Sequence, residues 1–238
     1  MYLFKRSTMI LVVALLTLSG CVHINGPLEY ANENETNTPS VNYLPVGIPF
    51  LLGGHGTSVP LTSELSLTAK HVAKIDFSEV VAYHPDCDIA LIKEDNTGKK
   101  LASLGKIHSQ ESIKTVGRGL TGKTLVGEGK YYQDVNFVDS KMFARCPASI
   151  TDAAVQSGMS GGGAFNAKGQ LVGIISGMSG SRFRMLDGSE LGNERTSIFV
   201  STYFVRDWLI SEVEQFYGDT IEHLAVTKDT FTTAFLKD

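Results

Sequence analysis

Three side chains able to break an acyl bond together occur in the order His71, Asp88 and Ser160 along a chain of 238 residues. Ser160 stands in Thr151-Asp152-Ala153-Ala154-Val155-Gln156-Ser157-Gly158-Met159-Ser160-Gly161-Gly162-Gly163-Ala164-Phe165. A hydroxyl becomes a useful nucleophile when a base takes its proton and donors receive the charge that builds on the attacked carbonyl oxygen. Glycine at 158 gives the backbone the freedom to turn the amides of Gly158 and Ser160 toward one point, as an oxyanion hole requires. Gly161 and Gly162 would leave the flanks free for a substrate main chain. Taken alone, the segment is equally a glycine-rich turn between two strands.

Two further segments bear on that choice. Leu65-Ser66-Leu67-Thr68-Ala69-Lys70-His71-Val72 alternates as a strand and then delivers a histidine, while His84-Pro85-Asp86-Cys87-Asp88-Ile89-Ala90-Leu91-Ile92-Lys93 sets an aspartate at the head of an apolar strand. A lone histidine is more often structural, and an aspartate before a strand is commonly a turn residue. The order His, Asp, Ser is one of the few that triad enzymes use, and it is that of the chymotrypsin-type double barrel. Asp88 is preferred to Asp86 because the strand begins there. His55, in Gly53-Gly54-His55-Gly56, reads as a surface residue of a glycine-rich turn. His84, Asp86, Cys87 and Asp88 are too crowded for the usual zinc spacing, so no metal and no other cofactor is expected.

These segments resemble the trypsin-like serine peptidases, and more closely the protease domain of bacterial periplasmic Deg-type enzymes. The likeness runs through Thr68-Ala69-Lys70-His71, Asp88-Ile89-Ala90-Leu91 and Asp152-Ala153-Ala154 to Gly158-Met159-Ser160-Gly161-Gly162, then through Gly169-Gln170-Leu171-Val172-Gly173-Ile174-Ile175-Ser176. It implies an all-β double barrel with Ser160 as nucleophile, His71 as general base and Asp88 as its orienting partner, cleaving protein or peptide substrates. It implies also that Ser176 lies on the strand that holds the substrate backbone. Ala154 would form the base of the primary pocket, and Ser176, Gly177 and Met178 a wall. No acid lies there, which argues against Lys or Arg and for a small or medium apolar substrate residue. The loop Gly177–Thr196, with Arg182, Arg184 and Arg195, leaves an acidic substrate residue open.

The chain departs from the family in three ways. Asp88 follows His71 by only 17 positions, so a hairpin of the first barrel should be trimmed. Met159 stands where zymogen-activated digestive enzymes carry an aspartate, which argues against activation by a new amino terminus. No PDZ-like domain is expected to follow. Two rivals are a non-catalytic, lipid-anchored binding protein with the same fold and an esterase. The second lacks the Gly-x-Ser-x-Gly elbow and alternating helices of the α/β-hydrolases.

The elements that must carry these residues are short. An apolar content of 42% with 19% charge fits a globular chain, and Val/Ile/Thr/Tyr/Phe runs punctuated by 24 glycines favour β structure. Strands are expected at Ile48–Leu52, Glu64–Thr68, Val80–Tyr83, Asp88–Ile92, Ile113–Val116, Leu171–Ser176 and Ile198–Ser201. Phe204, Val205, Trp208, Leu209, Val213 and Phe216 recur at helical spacing, with Ser201 or Thr202 as cap and Gly218 as stop. Residues 1–20 have an export layout, with Lys5 and Arg6, the apolar run Met9–Leu18, and then Leu18-Ser19-Gly20-Cys21. That ending resembles the bacterial lipobox, which implies acylation of Cys21 and an anchor in the bacterial cell envelope. A run of about ten residues is too short to span a bilayer.

Four regions are therefore expected: a lipoprotein signal 1–20, a flexible tether 21–45 rich in Asn, Glu, Thr and Pro, a protease domain 46–217, and an extension 218–238. Cleavage before Cys21 removes Lys5 and Arg6 from 21 basic residues and none from 25 acidic ones, leaving a net charge of −6. No basic cluster survives, which argues against nucleic acid as a partner. Cys87 and Cys146 are an even pair in an oxidising compartment, either bonded or present as two buried thiols. The oligomeric state is left open.

Overall fold

The alternating runs form twelve strands and two helices among the residues described by the computed structural model, which are 23–31, 38–48, 52–138, 140–141, 143, 145–180 and 184–218. The export segment, Cys21, Arg182 and residues 219–238 lie outside them. Among the described residues, no helix is long and apolar enough to cross a membrane.

Two antiparallel sheets make up the body. The first comprises β2 (Asn42–Ile48), β3 (Leu52–Pro60), β4 (Leu65–Thr68), β5 (Glu79–Tyr83) and β6 (Ala90–Lys93), in the order β2-β3-β4-β6-β5. A single helical turn, α1 (Lys70–Ala73), leaves β4. The second comprises β7 (Ser112–Arg118), β8 (Thr124–Val135), β9 (Ala148–Thr151), β10 (Gly163–Asn166), β11 (Leu171–Ser179) and β12 (Thr196–Ser201). These run in the order β8-β7-β10-β11-β12-β9, and β9 pairs back onto β8, so the sheet closes as a six-stranded barrel. The short β1 (Glu29–Tyr30) adds to β8 from outside.

Alternation explains the packing. In β7, Ile113 and Thr115 are buried while Ser112 and Lys114 face out. Leu65, Leu67, Ile89 and Leu91 fill the first sheet's core, into which α2 (Arg206–Tyr217) inserts Leu209 and Val213. Ile113, Tyr131, Ala164, Val172 and Phe199 fill the closed barrel. The mostly β fold is thus the one expected, with one closed barrel and, in place of the first barrel, a five-stranded sheet. Between His71 and Asp88 there is room for β5 and its turns alone.

Three local expectations change. Ile48 and Leu52 do not share a strand; they pair with each other as the end of β2 and the start of β3, just past Gly47, whose φ is +77°. Neither Ser201 nor Thr202 caps α2, whose N-cap is Val205 without a side-chain hydrogen bond, whereas Gly218 ends it at φ +73°. The stretch 21–45, expected as a flexible tether, includes residues 23–31, which lie along the closed barrel, and the first half of β2. Residues 23–31 lack apolar periodicity and dock largely through main-chain and Asn25 hydrogen bonds, with Leu28 as the one packed apolar side chain.

Candidate active site

Strand β4 ends at Thr68 and α1 begins at Lys70, so His71 stands in the first turn of a helix that β4 aims. Asp88 sits just before β6, which pairs with β4 in the register Thr68 to Ala90. That register brings the two residues together. The Asp88 Oδ1 accepts the His71 amide at 2.9 Å, and its Oδ2 faces the His71 Nδ1 at 2.8 Å. A carboxylate only accepts, so Nδ1 carries the hydrogen and Nε2 is left with its lone pair. Ser176 donates its hydroxyl to the same Oδ2. β11 shifts register against β12 between Ile175 and Gly177, and a bulge of this kind re-aims the side chain it carries. Burial, the largest influence, pushes the Asp88 carboxyl up. The hydrogen bond and charge of His71, the Ser176 hydroxyl and the His71 amide together outweigh it and hold the pKa below the ordinary carboxylate value.

The neighbouring acid is placed differently. Asp86 is largely exposed and faces Arg145 at 3.8 Å. His84 accepts the amides of Asp86 and Cys87 at 3.2 and 2.9 Å and packs edge-on against Trp208. Burial, then the charge of Lys70, lowers its pKa. Its work is to shape the turn that presents Asp88. Cys87 and Cys146 are joined in a disulfide, tying that turn to the segment before β9 in the closed barrel. Among the described residues there is no cluster of three His, Cys, Asp or Glu suited to a metal.

The loop around Ser160 shows a regular division of its amides. Those of Ser157, Met159, Gly161 and Gly162 donate to the carbonyls of His23, Gln156, Ile175 and Met159. Among the described residues, the amides of Gly158 and Ser160 have no acceptor in the chain. Gly158 has φ +95°, and a Cβ there would overlap the His55 imidazole. Thr57 of β3 clamps the loop twice, its hydroxyl donating to the Gly158 carbonyl at 2.9 Å and its amide to the Ser160 carbonyl at 2.9 Å. Beneath the loop Met159 is buried with Leu125, Val155 and Ile175, and Leu28 packs on that cluster. Among the described residues, no hydrogen bond joins the Ser160 hydroxyl to His71.

Several residues take places the sequence did not reveal. His55 is half-buried in β3 rather than on the surface, stacked on Tyr43 at 5.1 Å and against Gly158, and burial lowers its pKa. The glycine-rich context had concealed its strand. Gly161 and Gly162 do not open the flanks; each makes room for a carbonyl oxygen, of Thr57 and of Val116. Ala154, expected at the base of a pocket, is 0% exposed. Its carbonyl accepts the Thr115 hydroxyl at 2.6 Å, and a Cβ at Gly26 would stand 3.1 Å from its own. Ser176 turns to Asp88, while Gly177 and Met178 remain half-exposed on β11. Arg195, a candidate pocket charge, instead donates to the Asp152 carbonyl at 2.9 Å and pairs with Glu194.

With this geometry in view, residues 67–174 match the family model of the trypsin-like peptidase domain. No curated protein matches the chain. Among solved structures, the HtrA-type protease AlgW with tripeptide is similar at TM-score 0.60 and 20% identity, over 74% of this chain and 61% of that one. The Rv3671c protease in its inactive form is similar at TM-score 0.57 and 15% identity, over 78% of this chain and 98% of that one. The active form of the M. tuberculosis Rv3671c protease is similar at TM-score 0.56 and 17% identity, over 72% and 79%. This chain therefore spans about 60% of the length of the HtrA-type structure. The domain match covers the segment from β4 to β11, and the solved structures share the fold.

Proposed function

We propose that this chain is a lipid-anchored serine endopeptidase of the bacterial cell envelope that works through His71, Asp88 and Ser160. The observation that carries the reading is the pairing of His71 with a buried Asp88 beside a loop whose Gly158 and Ser160 amides find no acceptor among the described residues. The Ser160 Oγ attacks a peptide carbonyl carbon as the His71 Nε2 takes its proton. The carbonyl oxygen, now negative, receives the amides of Gly158 and Ser160. Collapse breaks the C–N bond, and the proton on Nε2 goes to the departing amine. Water then attacks the acyl carbon and gives a proton to Nε2; collapse breaks the C–Oγ bond, and that proton passes from Nε2 to the Ser160 oxygen. Asp88 holds the imidazole tautomer throughout and stabilises its charged form.

The anchor rests on the order of basic start, apolar run and Cys21, and the envelope location follows from it. Peptide, not nucleic acid, is the substrate class that suits the fold and the net charge of the processed chain. The test is a fluorophosphonate probe applied to wild type and Ser160→Ala. Labelling of wild type alone, with loss of about 10³-fold or more in peptide hydrolysis, is expected. Absence of labelling in the folded wild type would establish the non-catalytic binding protein instead.

A further inference from the structure

Residues 23–31 run along the rim of the closed barrel from the Ser160 loop to the β7–β8 hairpin. The His23 carbonyl accepts the Ser157 amide at 2.9 Å, and the Asn25 amide donates to the Val155 carbonyl at 3.2 Å. The Asn25 side chain accepts the Val155 amide at 2.8 Å and donates to the Thr196 carbonyl and the Ser197 hydroxyl. Leu28 packs on the cluster beneath the loop, β1 pairs with β8, and the Ala31 amide reaches the Thr124 carbonyl. The chain is thus already docked at His23, two positions after Cys21.

What surrounds this strap is apolar and open. Ile24 is 49% exposed, Tyr30 69% and Leu120 62%. Ile24 bridges to Gln156, and a Cβ at Gly119, the residue before Leu120, would stand 3.2 Å from the Gln156 side-chain nitrogen. In the same hairpin the Lys123 ammonium lies over the Tyr30 ring, 5.3 Å from its centre. Glu29 and Lys123 carry opposite charges, so the face is not a polybasic patch. An apolar surface edged by a tyrosine and a lysine suits the boundary between headgroups and acyl chains. The 22 residues ahead of His23, with the apolar run and Cys21, join the fold at this face.

We propose that the face formed by Ile24, Tyr30, Leu120 and Lys123 lies against a lipid bilayer, so that the Ser160 loop opens at the membrane surface and the substrates are membrane-associated polypeptides. This rests on the lipid-anchored reading above. It replaces a tether that holds the domain away from the membrane with a strap that presses one side of it down.

The experiment uses the full chain, processed and reconstituted in phosphatidylethanolamine–phosphatidylglycerol vesicles. An environment-sensitive dye is placed by Leu120→Cys and, for comparison, by Leu186→Cys. Leu186 is 87% exposed and lines a hollow with Val135 at the far end of β8, about 30 Å along the strand from β1. Brominated acyl chains are expected to quench the dye at 120 at least about threefold more than at 186. Leu120→Asp is expected to slow cleavage of a vesicle-tethered peptide about fivefold or more while leaving a soluble peptide unaffected. Equal quenching at both positions, or none at 120, overturns the proposal. The mass of the N-terminal peptide reads acylation separately: an acylated chain without selective quenching overturns the docking alone, and an unacylated Cys21 overturns both. Quenching needs no catalysis, so failure of the peptidase reading does not touch it.

Discussion

Replacing both Cys87 and Cys146 by serine removes the covalent tie between the Asp88 turn and the closed barrel. The bridge closes a loop with a sequence separation of 59. Loop-closure entropy for that length is about 14 cal/mol/K, or about 4 kcal/mol at 25 °C. A chain of this size loses about 2–4 °C in Tm per kcal/mol, so the double variant should melt about 8–16 °C lower. Activity at 25 °C should persist within about threefold, because Asp88 is held by three donors that the substitution leaves in place, His71 through its amide and ring and Ser176 through its hydroxyl. Circular dichroism melts beside peptide hydrolysis read both quantities. A Tm change under about 3 °C would show that the loop entropy is not realised. A fall of about 100-fold in turnover by a fully folded variant would show that the bridge, and not the hydrogen bonds, sets Asp88.

Gly158→Ala forces a side chain onto φ +95° and into the His55 ring, so the loop must move and its free amides with it. Turnover should fall about 10²–10³-fold and Tm by about 2–4 °C or more, as measured by hydrolysis and melting together. Asp88 has its pKa depressed in the folded state, so its stabilising contribution is complete above the unfolded carboxylate value of about 4 and is lost as pH falls through the folded one. Ser176→Ala removes one of the donors that depress it. The acid-unfolding midpoint should therefore move to higher pH, followed by fluorescence below pH of about 4; an unchanged midpoint would contradict the role given to Ser176.

The candidate site was legible because its three segments carry their local context in the sequence. Thr-Ala-Lys-His ends a strand, an apolar strand follows Asp88, and glycines flank Ser160. α2 was equally plain from its spacing, although not its cap. What escaped is structure made by pairing rather than by periodicity. Asn25 acts through one side chain and one amide on Val155, and nothing in Ile24-Asn25-Gly26 announces the partner. Thr57 clamps the loop across about a hundred residues of sequence. β8 was missed because Gly127 and Gly129 interrupt its alternation; both sit where segment 152–154 crosses closely enough to exclude a Cβ. Ala154 could be placed ahead of the loop from its spacing to Ser160, but not oriented, because its orientation depends on the strap packed behind it.

Met159 gives the molecule a particular working life. Where a loop is shaped by a charge pair with a newly cut terminus, manufacture and ignition are separate events, and a cell can store the inert precursor. Here the loop is shaped by a thioether sunk among Leu125, Val155 and Ile175, a contact complete as soon as the barrel closes. On the proposed reading, folding and arming are then a single event, and restraint falls to geography: which polypeptides come within reach.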